Sequence, residues 1–112
     1  MNTITRINRQ ELKTKLDRGD KVKLVMALND WAYSAKHIPG SLHFNTIPEA
    51  LTKLKQDDDI VLYCTGTSCM ASVWTYHFLR QKGYRRVRHY AGGLADWEKA
   101  GYPVEGKMVN GH

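Results

Sequence analysis

The stretch Ile60-Val61-Leu62-Tyr63-Cys64-Thr65-Gly66-Thr67-Ser68-Cys69-Met70-Ala71 begins as four apolar residues and passes into a short polar loop. It then enters a segment carrying Val73, Tyr76, Phe78 and Leu79 at helical spacing, closed by Gly83. An unbroken apolar run of this length predicts a strand buried on both faces. Apolar residues on one helical face followed by a glycine predict a helix and its stop. Strand, tight loop and helix in that order form the repeating unit of a parallel sheet, whose strands need long crossovers that are usually helical.

The same alternation recurs on both sides of this stretch. Upstream, Asn8 followed by Glu11 is a helix-start signature, with Leu12 and Leu16 on one face and Gly19 as the stop. Val22 to Leu28 is apolar except for Lys23 and predicts a second buried strand. Leu42 to Phe44 predicts a further short strand, and Pro48 opens a helix over Glu49 to Lys55 that carries Leu51 and Leu54. Asp57, Asp58 and Asp59 form the turn before Ile60. Downstream, Val87 to Tyr90 reads as a strand, Gly92 and Gly93 as a turn, and Ala95 to Lys99 as a short helix. The predicted class is α/β, a parallel sheet with helices on both faces.

A chain of 112 residues supports one modest core, so residues 1–112 are read as a single domain. Its composition, 42% hydrophobic and 25% charged, is that of a globular chain rather than a disordered one. The longest apolar stretch, Leu24 to Leu28, falls far short of the roughly 20 residues of a membrane helix. With no apolar block after Met1, the expectation is a soluble, cytoplasmic protein with no membrane partner. Lys and Arg outnumber Asp and Glu by 17 to 11, a formal charge of +6. The basic residues lie along Arg6 to Lys23, Lys53 to Lys55 and Arg80 to Arg88, without an aromatic platform motif, so they read as a solvated face and no nucleic-acid partner is expected.

In open parallel sheets, sites form at the carboxyl ends of strands, where loops lead into helix N-termini. Cys64 stands there, as the last residue of its apolar strand. The amides of such a loop and of the following first turn lack intrahelical partners and favour an anion, which lowers a thiol's pKa. Cys64 is therefore either a nucleophile or a small hydrophobe buried at a strand end. In a cytosolic setting the two cysteines, Cys64 and Cys69, argue for chemistry or burial rather than for a structural disulfide. His37, His43, His77, His89 and His112 form no ligand-spaced cluster with them, so no metal or other cofactor is expected.

Around Cys64 the chain resembles the single-domain rhodanese-like family of sulfurtransferases. His37-Ile38-Pro39-Gly40-Ser41 is similar to that family's amino-terminal signature, and Ile60 to Cys64 to the strand that ends in its active cysteine. Tyr90-Ala91-Gly92-Gly93, Trp97 and Gly101-Tyr102-Pro103-Val104 resemble its carboxy-terminal signature. The three occur in order over nearly the whole chain. The resemblance implies a five-stranded parallel sheet flanked by helices. It also implies that Cys64 takes a sulfane sulfur from thiosulfate or a persulfide donor, becomes a persulfide, and passes the sulfur to cyanide or a thiol, including a protein thiol. Thr65, Gly66, Thr67, Ser68, Cys69 and Met70 would then cradle the anionic sulfur, with Gly66 widening the backbone's choices.

Two departures bear on the donor. Many members carry an Arg five residues after the cysteine, where this chain has Cys69, and an Asp and an Arg at the places held here by Met26 and Leu28. Both losses remove positive or pairing charge from the pocket, which shifts the expected donor from thiosulfate towards a persulfide or polysulfide. The missing Arg also excludes a phosphatase or arsenate reductase, which need it to clamp an oxyanion. Two other readings stay open. One is a sulfur-relay or regulatory binding module with weak turnover; the other is a Cys64/Cys69 redox switch. His37 is read as a turn-supporting residue, Met70 as a gap filler, and Trp31, Trp74 and Trp97 as core or cleft-edge aromatics.

Overall fold

A computed structural model describes residues 4–27, 30–44, 47–64 and 70–107. In chain order its elements are α1 (Arg9–Asp17), β1 (Val22–Met26), α2 (Asp30–Ala35), α3 (Ile47–Lys53), β2 (Asp59–Tyr63), α4 (Ala71–Gln81), β3 (Val87–Tyr90) and α5 (Gly93–Lys99). The strands form a parallel sheet in the order β1-β2-β3, with Val25 opposite Leu62 and Leu62 opposite His89. No described helix is long and apolar enough to cross a membrane.

Because side chains alternate along a strand, each strand feeds two cores. On one face Leu24 and Met26 of β1, Val61 and Tyr63 of β2 and Tyr90 of β3 pack with Leu12 of α1 and Leu94 and Trp97 of α5. On the other, Val25, Ile60, Leu62 and Val87 pack with Leu54, which follows α3, and with Tyr76 and Leu79 of α4. The central strand β2 is buried along its whole length, as a strand with helices on both faces must be.

The local signals act as read. Asn8 accepts from the Glu11 amide at 2.8 Å while the Glu11 carboxylate accepts from the Asn8 amide at 3.3 Å, a reciprocal cap that starts α1. Past the end of α1, Gly19 takes a φ of +82°, a turn that glycine makes without the steric penalty of a Cβ.

The sheet differs from the implied five strands. Among the described residues there are three, and each outer strand is extended by one parallel bridge, Val25 with Leu42 beyond β1 and Arg6 with His89 beyond β3. Only Leu42 of the predicted Leu42 to Phe44 strand pairs. Beyond β3, the residues around Arg6 have room for two ladder bonds, Ile7 to His89 at 3.2 Å and His89 to Thr5 at 2.8 Å, before Asn8 turns the chain into α1. The six-residue α2 was not anticipated; its sequence, Asp30 to Ala35, shows no apolar spacing long enough to signal a helix.

Candidate functional site

Cys64 directly follows β2 at the carboxyl edge of the sheet and is 1% exposed. Its carbonyl accepts the Leu94 amide at 2.8 Å, which ties the strand end to the first turn of α5. Gly93, which opens α5, has a φ of +64° that favours glycine, and a side chain on Gly92 would run into Cβ of Asp96 at 2.6 Å. The glycine pair is therefore required at the edge that carries Cys64. The sulfur of Cys64 is held in a disulfide, where a free thiol was expected. The chain's other cysteine, Cys69, lies outside the described residues, together with the predicted cradle residues Thr65, Gly66, Thr67 and Ser68.

The chain reappears at Met70, the N-cap of α4, which supplies no side-chain hydrogen bond to the helix start. The first-turn amides of α4 thus have no cap from that residue, and the helix dipole leaves partial positive charge there. Met70 does not fill a gap, as had been expected. It is 69% exposed, because the N-cap position projects it from the helix end and away from both cores.

The residue before Cys64 is fixed by a buried polar cluster. The Tyr63 hydroxyl accepts the Ile38 amide at 3.0 Å and shares a hydrogen bond with Ser41 Oγ at 2.6 Å, while Ser41 Oγ donates to the Ile38 carbonyl. Burial pushes the Tyr63 phenol up to about 12, so it stays neutral. The segment His37 to Ser41 is a clamp on the end of β2. His37 has the structural place expected of it: Nδ1 lies 2.7 Å from the Tyr33 carbonyl, Nε2 3.2 Å from Glu105, and the ring stacks on Tyr33 at 4.1 Å. Tyr33 in turn donates to the Ser41 carbonyl.

Two further residues were not singled out in the sequence. Ser72, in the first turn of α4, is hydrogen-bonded at 2.7 Å to Nε2 of His89 on β3, and both are buried. This bond ties the start of α4 to the sheet beside β2. Burial, and then the nearby Arg6 charge, push the His89 pKa down. Only alternation could have suggested the pairing, since it places His89 on the α4 face with Val87. Beyond β3 lies a cleft of about 490 Å³ lined by Arg6, Arg9, Tyr90 and Asp96, in which Arg9 pairs with Asp96 at 3.0 Å and the Tyr90 hydroxyl donates to Asp96 at 2.6 Å.

The carboxy-terminal signature closes the α1/α5 face. Trp97 is buried, its Nε1 donates to the Pro103 carbonyl at 2.8 Å, and Tyr102 meets it edge-on at 4.8 Å. Trp74, by contrast, stands in solvent, and the side chain of Trp31 lies outside the described residues.

The profile of the rhodanese-like domain family matches residues 8–100. The chain is 33% identical over 108 residues to the HTH-type transcriptional regulator Rv0324 of Mycobacterium tuberculosis, covering 95% of this chain and 47% of that protein. It is 28% identical over 103 residues to a sulfurtransferase of Allochromatium vinosum, covering 90% of this chain and 94% of that one. Among solved structures, the rhodanese-like domain of an Anabaena protein superposes with a TM-score of 0.82 at 25% identity, over 95% of this chain and 82% of that one. The chain thus spans about half of the matched regulator and nearly all of the matched sulfurtransferase.

Proposed function

Because the chain belongs to the rhodanese-like domain family, we propose that it is a sulfurtransferase in which Cys64 carries sulfane sulfur as a persulfide. The observation that carries this reading is the place of Cys64, at the end of a rigid buried strand and ahead of a helix start that its N-cap side chain leaves unsatisfied. A sulfur anion at that point meets first-turn amides that the Met70 side chain does not cap, and the positive end of α4.

The thiolate of Cys64 attacks the outer sulfur of the donor; a new S–S bond forms and the donor's S–S bond breaks. With thiosulfate the leaving group is sulfite, and with a persulfide donor it is the donor's thiolate. Cyanide or an acceptor thiolate then attacks the outer sulfur on Cys64, and the bonding pair returns to Cys64 as thiolate. Cys69 in place of an Arg, and Met26 and Leu28 in place of an Asp and an Arg, leave three places uncharged where many family members hold charge, which favours a persulfide or polysulfide over thiosulfate. Thr65, Gly66, Thr67, Ser68, Cys69 and Met70 complete the cradle. The disulfide on Cys64 ties up the thiolate that the attack needs, so reduction precedes transfer.

The test is thiocyanate formation from cyanide with thiosulfate and, separately, with inorganic polysulfide. Protein reduced with dithiothreitol and desalted is expected to turn over, faster with polysulfide, whereas unreduced protein is inert. Cys64→Ser lowers the rate by at least about 10³-fold, as loss of a nucleophile does. A reduced wild type no faster than Cys64→Ser overturns the reading.

A further inference from the structure

Two large apolar side chains of the described residues stand in solvent, Met70 at 69% and Trp74 at 56% exposure. They are neighbours, since residues four apart share a helix face. Four residues further on, Phe78 stacks on Trp74 with ring centroids 5.4 Å apart and planes within 8°. The Lys82 ammonium closes the row, 5.6 Å from the Phe78 ring. Met70 and Trp74, with the Phe78 ring, which is half-buried and also packs against the core behind α4, and Lys82 form a row about 18 Å long along α4. Scattered exposed apolar residues are ordinary, but a contiguous row beside a reactive position marks a binding surface.

The charge carried by the segment itself has one sign, and the acidic turn Asp57 to Asp59 lies next to it, where the Asp57 carbonyl accepts from Arg86 and Gln56 donates to the Lys82 carbonyl. Between Asp59 and Asp96 the sequence holds no acidic residue and five basic ones, Arg80, Lys82, Arg85, Arg86 and Arg88. Arg86 and Arg88 turn towards Asp59, and Arg80 donates to the Arg85 carbonyl, while Lys82 stays over the stripe. A surface that is apolar along its axis and positive at its end complements a partner that is apolar and acidic.

We propose that this stripe docks the acceptor of the sulfur, a protein thiol whose cysteine is flanked by apolar and acidic residues. The inference rests on the persulfide chemistry of Cys64 proposed above. Docking along α4 brings the partner's thiolate to the Met70 end, where it attacks the outer sulfur of the Cys64 persulfide. The S–S bond to Cys64 breaks, Cys64 leaves as thiolate, and the partner becomes the persulfide.

The experiment uses the reduced 112-residue chain loaded with sulfur by inorganic polysulfide and desalted. Four acceptors are compared: cyanide, free cysteine, a twelve-residue peptide with one cysteine among Leu, Phe and Glu, and one with its cysteine among Ser and Lys. Transfer to the acidic, apolar peptide is expected to exceed transfer to the basic one and to free cysteine by about tenfold or more in kcat/KM. Trp74→Ser with Lys82→Glu removes that advantage and leaves the cyanide rate unchanged, an effect of the size that one anchor aromatic commands. Equal rates on the two peptides, or an advantage that survives in the variant, overturns the proposal. Binding of a serine-for-cysteine version of the acidic peptide, followed by calorimetry, keeps the two ideas apart: wild type binds it and the variant does not, whether or not cyanide is turned over. Sedimentation supplies the last outcome. A wild-type dimer that Trp74→Ser dissociates would mean that a second copy covers the stripe, which also overturns the proposal.

Discussion

The two ends of β2 are built on opposite principles. At its start, Asp59 is 8% exposed and ionic: Oδ1 accepts from Arg88 at 2.8 Å and Oδ2 from Lys15 at 3.1 Å, with Arg86 at 3.9 Å. At its finish, Tyr63 and Cys64 are held by neutral groups, namely the Ile38 amide, the Ser41 hydroxyl and the Leu94 amide. Burial alone would raise the Asp59 pKa, but the hydrogen bonds and charges of Arg88 and Lys15 outweigh it and hold the carboxyl below its usual range. Charge at the start of the strand ties α1 to the sheet. At the end, neutral clamps fix the backbone without placing a fixed ion beside the sulfur.

If the division is real, the two ends fail in different ways. Cys64→Ser, the largest effect, abolishes transfer in every folded molecule, whatever the hydroxyl buried in place of the thiol costs in stability. Asp59→Asn does the reverse. It leaves Arg88 without its counter-ion and Lys15 with only Asp20 at 3.7 Å, and costs about 2 to 4 kcal/mol of stability at pH 7, measured by denaturant unfolding, with the rate per folded molecule unchanged. The Asp59 pKa is lowered in the folded state, so its contribution is present above the unfolded value near 3.9 and disappears as pH falls through the folded value. The penalty of the variant therefore shrinks in acid. A penalty that is the same at pH 7 and pH 3 would break the ionic account of this end.

Tyr63→Phe probes the other clamp at intermediate size. It removes the hydroxyl from the Ile38 amide and from Ser41, at a cost of about 1 to 2 kcal/mol. It also loosens the strand end that presents Cys64, so both stability and transfer rate fall together, unlike in Asp59→Asn. Loss of stability with an unaltered rate would separate the clamp from the site.

These clamps also mark the boundary of what the sequence made legible. The apolar runs of β1, β2 and β3 and the capping box at Asn8 are local signals; β3 and the cap stand where their patterns put them, whereas β1 ends at Met26, short of Leu28, and β2 begins at Asp59, which had been read as turn. The place of Cys64 followed from the same logic. What was not legible depends on partners distant along the chain: Tyr63 with Ser41, His89 with Ser72, and the residues around Arg6 laid beside β3. No period or spacing encodes a hydrogen bond across 17 or more residues. Exposure was equally hidden, since Trp74 and Trp97 have the same composition signal and opposite fates. Trp97 is enclosed by Tyr90 and Tyr102, whereas Trp74 faces away from the sheet on α4.

His89 allows the smallest and finest test of the contrast, because it is a titratable group on the strand next to β2 that the fold keeps neutral. Its Nε2 is bonded to Ser72 and its Nδ1 is buried without a hydrogen-bond partner among the described residues, so a proton there would add charge with none of them to receive it. A base whose folded pKa is depressed contributes full stability above its unfolded pKa, near 6.5, and loses it as pH falls from that value through the folded one. Stability should therefore decline below about pH 6.5, by at most about 1.4 kcal/mol per pH unit for one proton. This lies well above the window in which Asp59 titrates. His89→Gln retains a partner for Ser72 and cannot titrate, so it should flatten the curve between pH 6.5 and 5 while leaving the acid limb below pH 4 in place. If the decline below pH 6.5 persists in His89→Gln, another group drives it, and the start of α4 is not tied to β3 by a neutral imidazole.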